Sequence, residues 1–586
     1  MEFAELERRA KAWAEYDPDP ETRAEIAELL TRPDPMATDL PDRFAGSLEF
    51  GTAGLRGVIG AGPNRMNRAV VLRTTWGLAK YVAETTEAAA KRGVVIGYDG
   101  RRMSKQFAED TACVLAAVGL HATLFDDVVP TPLLAFAVQH LGCAAGVMVT
   151  ASHNPPEYNG YKAYWGNGAQ IISPIDQGIA RAIAMSPAAK DVPRMPINEA
   201  REKRLVTMVG EDLARTYLAE VKKLAIRRDG DRSLSIVYTP MHGVGDALAR
   251  RAFDDAGFAH VVSVPEQQKP DGAFPTVAFP NPEEKGAMDL AFALARSRHA
   301  DLVLANDPDA DRLAVAVPSG GGFQQLTGNQ VGVLLGHYIL TNGLQSEEKA
   351  EGAPLVIASI VSSPMLGVVA EALGARYEEV LTGFKWIANR AMDLKAERGW
   401  RFAFGFEEAL GYTVGELVRD KDGISAAVIF AELVAVLRAK GTTVVAHLES
   451  LYRRYGLFTS SQVNLTRKGA DGIAELKAIM AKLRKSPPMR IADDDVLAVR
   501  DYLAQVRTTN DGHKSALALP KSDVLGFELA SGCRVIARPS GTEPKAKFYF
   551  DVREPMTAGE PLSAAEARGA EKGKRLADAF LAIATS

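Results

Sequence analysis

The segment Asp307-Pro-Asp-Ala-Asp-Arg312 places three carboxylates at alternate positions directly after the apolar run LVLA. On a chain bent by Pro308, these oxygens can curl around a hard divalent cation. An acidic surface turn would show the same residues, yet carboxylates at the end of a buried run need a counter-charge. The EF-hand reading fails, because Arg312 stands where that loop needs Gly and Pro318 where it needs a bidentate Glu. Magnesium fits better than calcium. Its octahedral shell commonly includes a phosphate oxygen, so a phosphoryl group is expected close by.

The loop Thr150-Ala-Ser-His-Asn-Pro-Pro156 sets the Ser152 hydroxyl and the His153 imidazole at the end of another buried run, with two prolines fixing the turn that follows. A turn serine capping the backbone is the plain alternative. A hydrolase triad fits poorly, since adjacent residues of an extended chain point to opposite sides and no G-x-S-x-G occurs. The segment Arg538-Pro-Ser-Gly-Thr-Glu-Pro-Lys-Ala-Lys547 gathers cations, hydroxyls and a glycine, the donor-rich turn that a phosphate dianion needs, or else a solvated basic turn. Gly51-Thr-Ala-Gly-Leu-Arg-Gly57 is a flexible loop with one fixed positive charge, Arg56. No Walker-type phosphate loop is present, and Gly243-Val-Gly245 lacks the third glycine of a dinucleotide fingerprint.

Strand-length apolar blocks must position these loops. VVIGYD (94–99), AAGVMVT (144–150), SIVYTP (235–240), ADLVLAND (300–307), PLVIASIV (354–361) and FAFGFEE (402–408) alternate with stretches of helical period, among them one capped by Ser104 and others near Pro132, after Gly245 and around Trp386. The alternation predicts βαβ units, with polar loops at the strand ends where open α/β sheets bind ligands. The last part differs. Helical stretches at 444–455 and 471–484, two strands around the 538–547 loop and a helix near 562–583 predict an α+β module.

At 586 residues, with 47% hydrophobic and 24% charged residues, the chain folds throughout as several domains. A net charge of -4 gives no bulk attraction for nucleic acid or anionic membrane, so neither is an expected partner. Apolar runs such as 112–120 and 426–431 are too short to span a bilayer. The three scattered cysteines make no disulfide framework, and the charged MEFAELERRAKAWAEYD start reads as an amphipathic helix and not as a secretory signal. A cytoplasmic location is expected.

Taken together, GTAGLRG (51–57), TASHNPPEYNGYK (150–162), NDPDADR (306–312), GFEEALGY (405–412) and RPSGTEP (538–544) resemble the motifs of the α-D-phosphohexomutases, in the family's own order, and in particular its phosphoglucomutase-2 and phosphopentomutase-like branch. The resemblance runs from about residue 50 to about residue 550. It implies three related α/β domains with mixed sheets and a C-terminal α+β domain around a central cleft, divided as 1–222, 223–328, 329–455 and 456–586. By that resemblance Ser152 carries a phosphoryl group, and Asp307, Asp309 and Asp311 bind Mg2+ together with it. Arg312 neutralises charge in the metal loop, while Arg56, His153, Lys162 and Lys385 surround the reacting hydroxyl, with Lys162 or Lys385 moving the proton. A lysine ordinarily titrates at about 10.4, so either needs cationic crowding for that task. Glu407, with Thr382 and Gly383, contacts sugar hydroxyls, and Arg538, Ser540, Gly541, Thr542 and Lys547 hold the non-reacting phosphate.

The implied activity interconverts hexose 1-phosphate and hexose 6-phosphate, glucose before mannose, with a sugar bisphosphate as intermediate and activator. Where hexose-specific relatives read G-E-[EM]-S, this chain has Gly405-Phe-Glu-Glu-Ala409. The missing hydroxyl contact is worth ~1 kcal/mol, too little to separate hexose from pentose phosphates, so ribose or deoxyribose phosphate is the alternative. A silent sugar-phosphate binding protein would need neither Ser152 nor the aspartates, and a phosphoserine phosphatase would release inorganic phosphate. The sequence sets no oligomeric state.

Overall fold

The computed structural model describes residues 2–51, 54–227, 230–343, 352–467, 469–539 and 545–586. Three of its sheets follow one plan. The first runs Gly54–Val58, Tyr158–Trp165, Ala145–Val149, Val94–Tyr98, Ala122–Phe125, Val206–Val209. Its last four strands are parallel, and Tyr158–Trp165 is antiparallel to both neighbours. The second runs Gly322–Gln325, Ala314–Ser319, Leu302–Ala305, Ile236–Thr239, Val261–Ser263, with Ala314–Ser319 the strand antiparallel to both neighbours. The third runs Arg376–Val380, Pro354–Ser359, Arg401–Glu407, Gly411–Val414, and only the last is antiparallel.

Ala145–Val149, Leu302–Ala305 and Arg401–Glu407 are nearly continuous apolar runs because helices cover both faces of a parallel sheet. Each turns directly into an antiparallel neighbour. The connecting segments are 150–157, 306–313 and 408–410, so the same structural corner is used in all three sheets.

The fourth sheet is antiparallel, in the order Leu457–Thr466, Lys545–Glu554, Arg534–Pro539, Leu525–Leu529, Asp494–Asp501, Val506–Thr509, Lys514–Ala516. Helices Gly469–Lys485 and Leu562–Thr585 pack on it, and Phe580 sits edge-on to Phe527 and Phe548 at 5.4 Å each. The chain is therefore three mixed α/β sheets followed by an α+β unit. Among the described residues no helix is long and apolar enough to cross a membrane.

Two local expectations change. Helix Ser104–Ala117 is not capped by Ser104: Met103, with φ of 66°, is the flanking residue, and the Ser104 hydroxyl donates to Asp99 Oδ1 at 2.6 Å. The strands between 494 and 529 were not legible, because charges interrupt runs such as DDVLAVRD, whose outer positions face solvent.

Gly243-Val-Gly245 also has a reason. The Val244 amide donates to the Pro308 carbonyl at 2.8 Å, and a Cβ on Gly243 would come within 2.3 Å of Pro308 Cα. The backbone of the second sheet's first turn thus rests directly on the acidic loop. Gly243→Ala is expected to cost about 1–3 kcal/mol through this overlap and to weaken divalent-cation binding as well. Thermal unfolding and a Mg2+ titration measure both, and an unchanged melting midpoint would show that the contact yields freely.

Candidate active site

Ser152 sits in the left-handed backbone region, with φ of 51°. That conformation costs an ordinary residue roughly 1 kcal/mol or more, so the surroundings must impose it. Its amide donates to Thr150 Oγ1 at 2.8 Å, and the Thr150 hydroxyl donates to Asp99 Oδ2 at 2.6 Å. Arg101 donates to the carbonyls of Ser152 at 2.6 Å, of Pro155 at 2.8 Å and of Asn154. The result aims the hydroxyl across the domain boundary. Ser152 Oγ donates to Asp307 Oδ2 at 2.8 Å and lies 3.2 Å from His153 Nδ1. Burial, reinforced by Arg312 and Arg56, holds His153 well below its ordinary pKa, so the ring is neutral.

Asp307, Asp309 and Asp311 are at most 1% exposed, and one oxygen from each lies within 4.8 Å of the others. Burial and the two neighbouring carboxylates push Asp307 well above the usual carboxylate range. Burial would raise Asp309 and Asp311 too, but Lys162 outweighs it for Asp309, and Lys162, Lys421 and Arg312 do so for Asp311. Lys162 Nζ stands 2.7 Å from Asp309 Oδ2 and 2.9 Å from Asp311 Oδ2, and Lys421 Nζ is 3.2 Å from Asp311 Oδ2. Thr131 adds its hydroxyl to Asp309 Oδ2 at 2.6 Å.

Asp309 Oδ1 and Asp311 Oδ1 are buried with no hydrogen-bond partner among the described residues. Buried carboxylate oxygens rarely stay so, and two of them in an all-oxygen cluster fit a hard cation. Arg312 donates its amide to Asp307 Oδ1 at 3.0 Å, and its guanidinium lies 3.9 Å from Asp307 Oδ2.

Arg56 and Lys162 reach the site from adjacent strands. Gly54 pairs with Lys162 and Arg56 with Gly160, so the two side chains share one face of the sheet. Arg56 Nη1 donates to Asn154 Oδ1 at 2.9 Å. In the third sheet the Gly383 amide, at φ of 118°, donates to Glu407 Oε1 at 2.6 Å. Burial, with Glu408 adding to it, pushes Glu407 up to about 7. Glu408 turns the other way, accepting from Ser359 at 3.2 Å and Ser362 at 3.1 Å. Thr382 Oγ1 is buried without a partner among the described residues. Lys385, in the first turn of helix Phe384–Arg398, lies 5.1 Å from the Trp386 ring centre, and burial, weakly opposed by Asp176, lowers it to about 8. Arg538 and Lys547 are direct register partners and so share a face; Ser540, Gly541 and Thr542 lie outside the described residues.

Sequence reasoning missed Asp99, Arg101, Thr131 and Lys421. A signal existed for two regions. Asp99-Gly-Arg-Arg102 directly follows a fully buried strand, and Arg419-Asp-Lys-Asp422 directly precedes helix Gly423–Ala439, whose residues are almost all buried. Asp420 accepts from Tyr164 and Gln170 at 2.7 Å each, which fastens Lys421's loop to the first sheet.

Comparison with known proteins places the chain in a family. Residues 47–189, 215–321 and 327–455 match domains I, II and III described as "Phosphoglucomutase/phosphomannomutase, alpha/beta/alpha". A Schizosaccharomyces pombe protein named "Probable phosphoribomutase" is 38% identical over 97% of each chain. A Haemophilus influenzae protein named "Probable phosphomannomutase" is 41% identical over 85% of this chain and 96% of its own. Human relatives named "Phosphopentomutase" and "Glucose 1,6-bisphosphate synthase" are each 36% identical, over 96% and 98% of this chain and 93% and 94% of their own. Among solved structures, a phosphoglucomutase/phosphomannomutase family protein from Burkholderia thailandensis shares the fold, with a TM-score of 0.63 at 21% identity over 90% of this chain and 97% of its own. The chain belongs to the phosphoglucomutase/phosphomannomutase family. It is a phosphosugar mutase, an intramolecular phosphotransferase.

Burial and the neighbouring carboxylates favour the protonated form of Asp307, so a divalent cation held by the trio would compete with that proton. Mg2+ binding is therefore expected to be weaker at pH 6 than at pH 8 and to release protons. Calorimetry in buffers of different ionisation enthalpy reads both, and a pH-independent affinity without proton release would contradict the assignment.

Proposed function

We propose that the protein is a Mg2+-dependent mutase interconverting hexose 1-phosphate and hexose 6-phosphate, glucose before mannose, through phospho-Ser152 and a sugar bisphosphate. The observation that carries this reading is the 2.8 Å bond from Ser152 Oγ to Asp307 inside a trio in which Asp309 Oδ1 and Asp311 Oδ1 are buried with no hydrogen-bond partner among the described residues. Asp307, Asp309, Asp311 and the Ser152 oxygen would hold Mg2+, which supplies charge neutralisation at the transferring phosphoryl group. In this reading residues 1–222 carry the phosphoserine, 223–328 the metal loop, 329–455 the sugar loop and 456–586 the clamp for the second phosphate.

Transfer breaks the Ser152 Oγ–P bond and forms a bond from phosphorus to a sugar oxygen, whose proton must leave. Two lysines compete for that proton. Lys385 has the lower pKa, about 8, whereas Lys162 is held above its ordinary value because Asp309 and Asp311 outweigh its burial. Position supports Lys162, which touches the acidic trio beside Ser152. A divalent ion held by those carboxylates would weaken the pull that keeps Lys162 charged. Arg56, the neutral His153 and Arg312 align the phosphoryl oxygens; Lys385, Thr382, Gly383 and Glu407 face the sugar. Arg538, Ser540, Gly541, Thr542 and Lys547 clamp the other phosphate. After the bisphosphate turns over in the cleft, its second phosphate returns to Ser152.

Pentose phosphate is the second reading. Ala409 stands where a hydroxyl would favour hexose, and relatives matched along nearly their whole length are named for ribose and pentose mutases. The free thiols of Cys113, Cys143 and Cys533 support a reducing, cytoplasmic compartment.

Turnover of glucose, mannose and ribose 1-phosphates with Mg2+ and trace sugar bisphosphate decides the substrate: glucose is expected to be fastest, and ribose equal to or above it would transfer the assignment to pentoses. Ser152→Ala is expected to abolish isomerisation and phosphoenzyme formation while leaving the melting temperature within a few degrees. With Glu407 titrating at about 7, its acceptor form grows as pH rises. KM should therefore fall between pH 6 and pH 8, and Glu407→Gln should flatten that dependence.

A further inference from the structure

Glu283 belongs to none of the motifs that define the mutase. It lies on the segment Phe279-Pro-Asn-Pro-Glu283 of the second α/β unit, between two buried prolines and the start of the next turn. The Asn281 side chain accepts the Glu283 amide at 3.2 Å, the Asn281 carbonyl accepts the Glu284 amide at 3.0 Å, and Gln325 Nε2 donates to the Pro282 carbonyl at 2.8 Å. The backbone is thus fixed on both sides of the residue. The carboxylate is not. It forms a long ion pair with Arg312, Nη1 to Oε2 at 4.0 Å, beyond hydrogen-bond distance, and its side chain is 42% exposed. Among the described residues no side chain donates a hydrogen bond to this carboxylate, although its backbone is fixed, so its oxygens are open to a ligand's donors.

Where it points follows from its neighbours. Arg312 stands between Asp307, at 3.9 Å, and Glu283, at 4.0 Å, so Glu283 lies one guanidinium away from the phosphoryl-transfer centre. On the other side Lys547 is near enough for its charge to act on Glu283, and Glu283 in turn acts on Glu408, next to the proposed sugar contact Glu407. Between the transfer centre and the distal clamp, a bound sugar phosphate presents its ring. The ring carries hydroxyl donors and no charge, which suits a half-exposed carboxylate whose long ion pair with Arg312 leaves its oxygens open to hydrogen bonds. A second phosphate is repelled by it.

We propose that Glu283 accepts hydrogen bonds from ring hydroxyls of the substrate and is a specificity-determining residue, selecting neutral, hydroxyl-rich aldose rings alongside the sugar loop's own motif. This rests on the mutase reading. It goes beyond it in giving the second α/β unit, which carries the metal loop and Arg312, a part in sugar choice.

The test compares Glu283→Ala, Glu283→Gln and Glu283→Asp on pairs differing by one hydroxyl: glucose and 2-deoxyglucose phosphates, ribose and 2-deoxyribose phosphates. A hydrogen bond to a charged group supports a change of roughly tenfold or more. Glu283→Ala is expected to raise KM by about that factor for the hydroxylated member of at least one pair, and less for its deoxy partner, with kcat within about threefold. Glu283→Gln, still an acceptor, should lie between Ala and wild type. Phosphoenzyme formation from a sugar bisphosphate, read by intact mass, and the Mg2+ affinity should be unchanged in all variants. Equal losses on every sugar would overturn the proposal and assign Glu283 to tuning Arg312; no loss on any would overturn it too. If the wild type turns over no sugar phosphate, the mutase reading itself fails, a result distinct from turnover with unaltered selectivity.

Discussion

Three carboxylates buried within a few ångströms of one another cannot persist without compensating positive charge, and that requirement organises the molecule. Asp307, Asp309 and Asp311 arise from one loop of the second sheet, yet the ammonium groups that face them arrive from elsewhere: Lys162 from the first sheet and Lys421 from the loop before helix Gly423–Ala439. Electrostatics therefore joins three units at one point. The hydrogen bonds of Tyr164 and Gln170 to Asp420, and of Tyr217 to Asp422, fasten the same junction with neutral groups.

The site's other constraint is the cage around Ser152. A serine hydroxyl is a poor relay for phosphorus unless its direction is fixed before substrate arrives, since in-line transfer depends on alignment. Here the direction is set by a left-handed backbone that Asp99, Arg101 and Thr150 impose. The cost of that conformation is met by buried hydrogen bonds, some to a charged group, each stronger than a neutral one. The same corner of each α/β sheet, where a buried parallel strand turns into an antiparallel neighbour, yields the serine loop, the acidic loop and the Glu407 turn. One architectural position thus carries three chemistries.

Much of this could be read from the chain. The buried strands VVIGY, LVLA and FAFGFE stand out because parallel strands covered on both faces have no reason to alternate. The strands of the C-terminal sheet between 494 and 529 did not, since their exposed positions carry charge and break the apolar pattern. Ser104 looked like a cap and instead serves Asp99, a tertiary partner that no local rule supplies. Lys421 escaped notice because a charged residue beside other charged residues reads as solvated surface until the fold buries it against Asp311.

Residue type and spacing alone determined that this chain holds a candidate phosphoryl-carrying serine, a metal-binding acidic loop and α/β units to present them, because such chemistry requires particular atoms at short sequence separation. Which groups meet was decided only in three dimensions. Ser152 and Asp307 are separated by 155 positions yet share a hydrogen bond. Glu283 acquires its place beside Arg312 because the segment between strand Val261–Ser263 and helix Asp289–Arg298 packs next to the acidic loop. Contacts of that range are fixed by the packing of whole sheets, and no window of sequence contains the information for them.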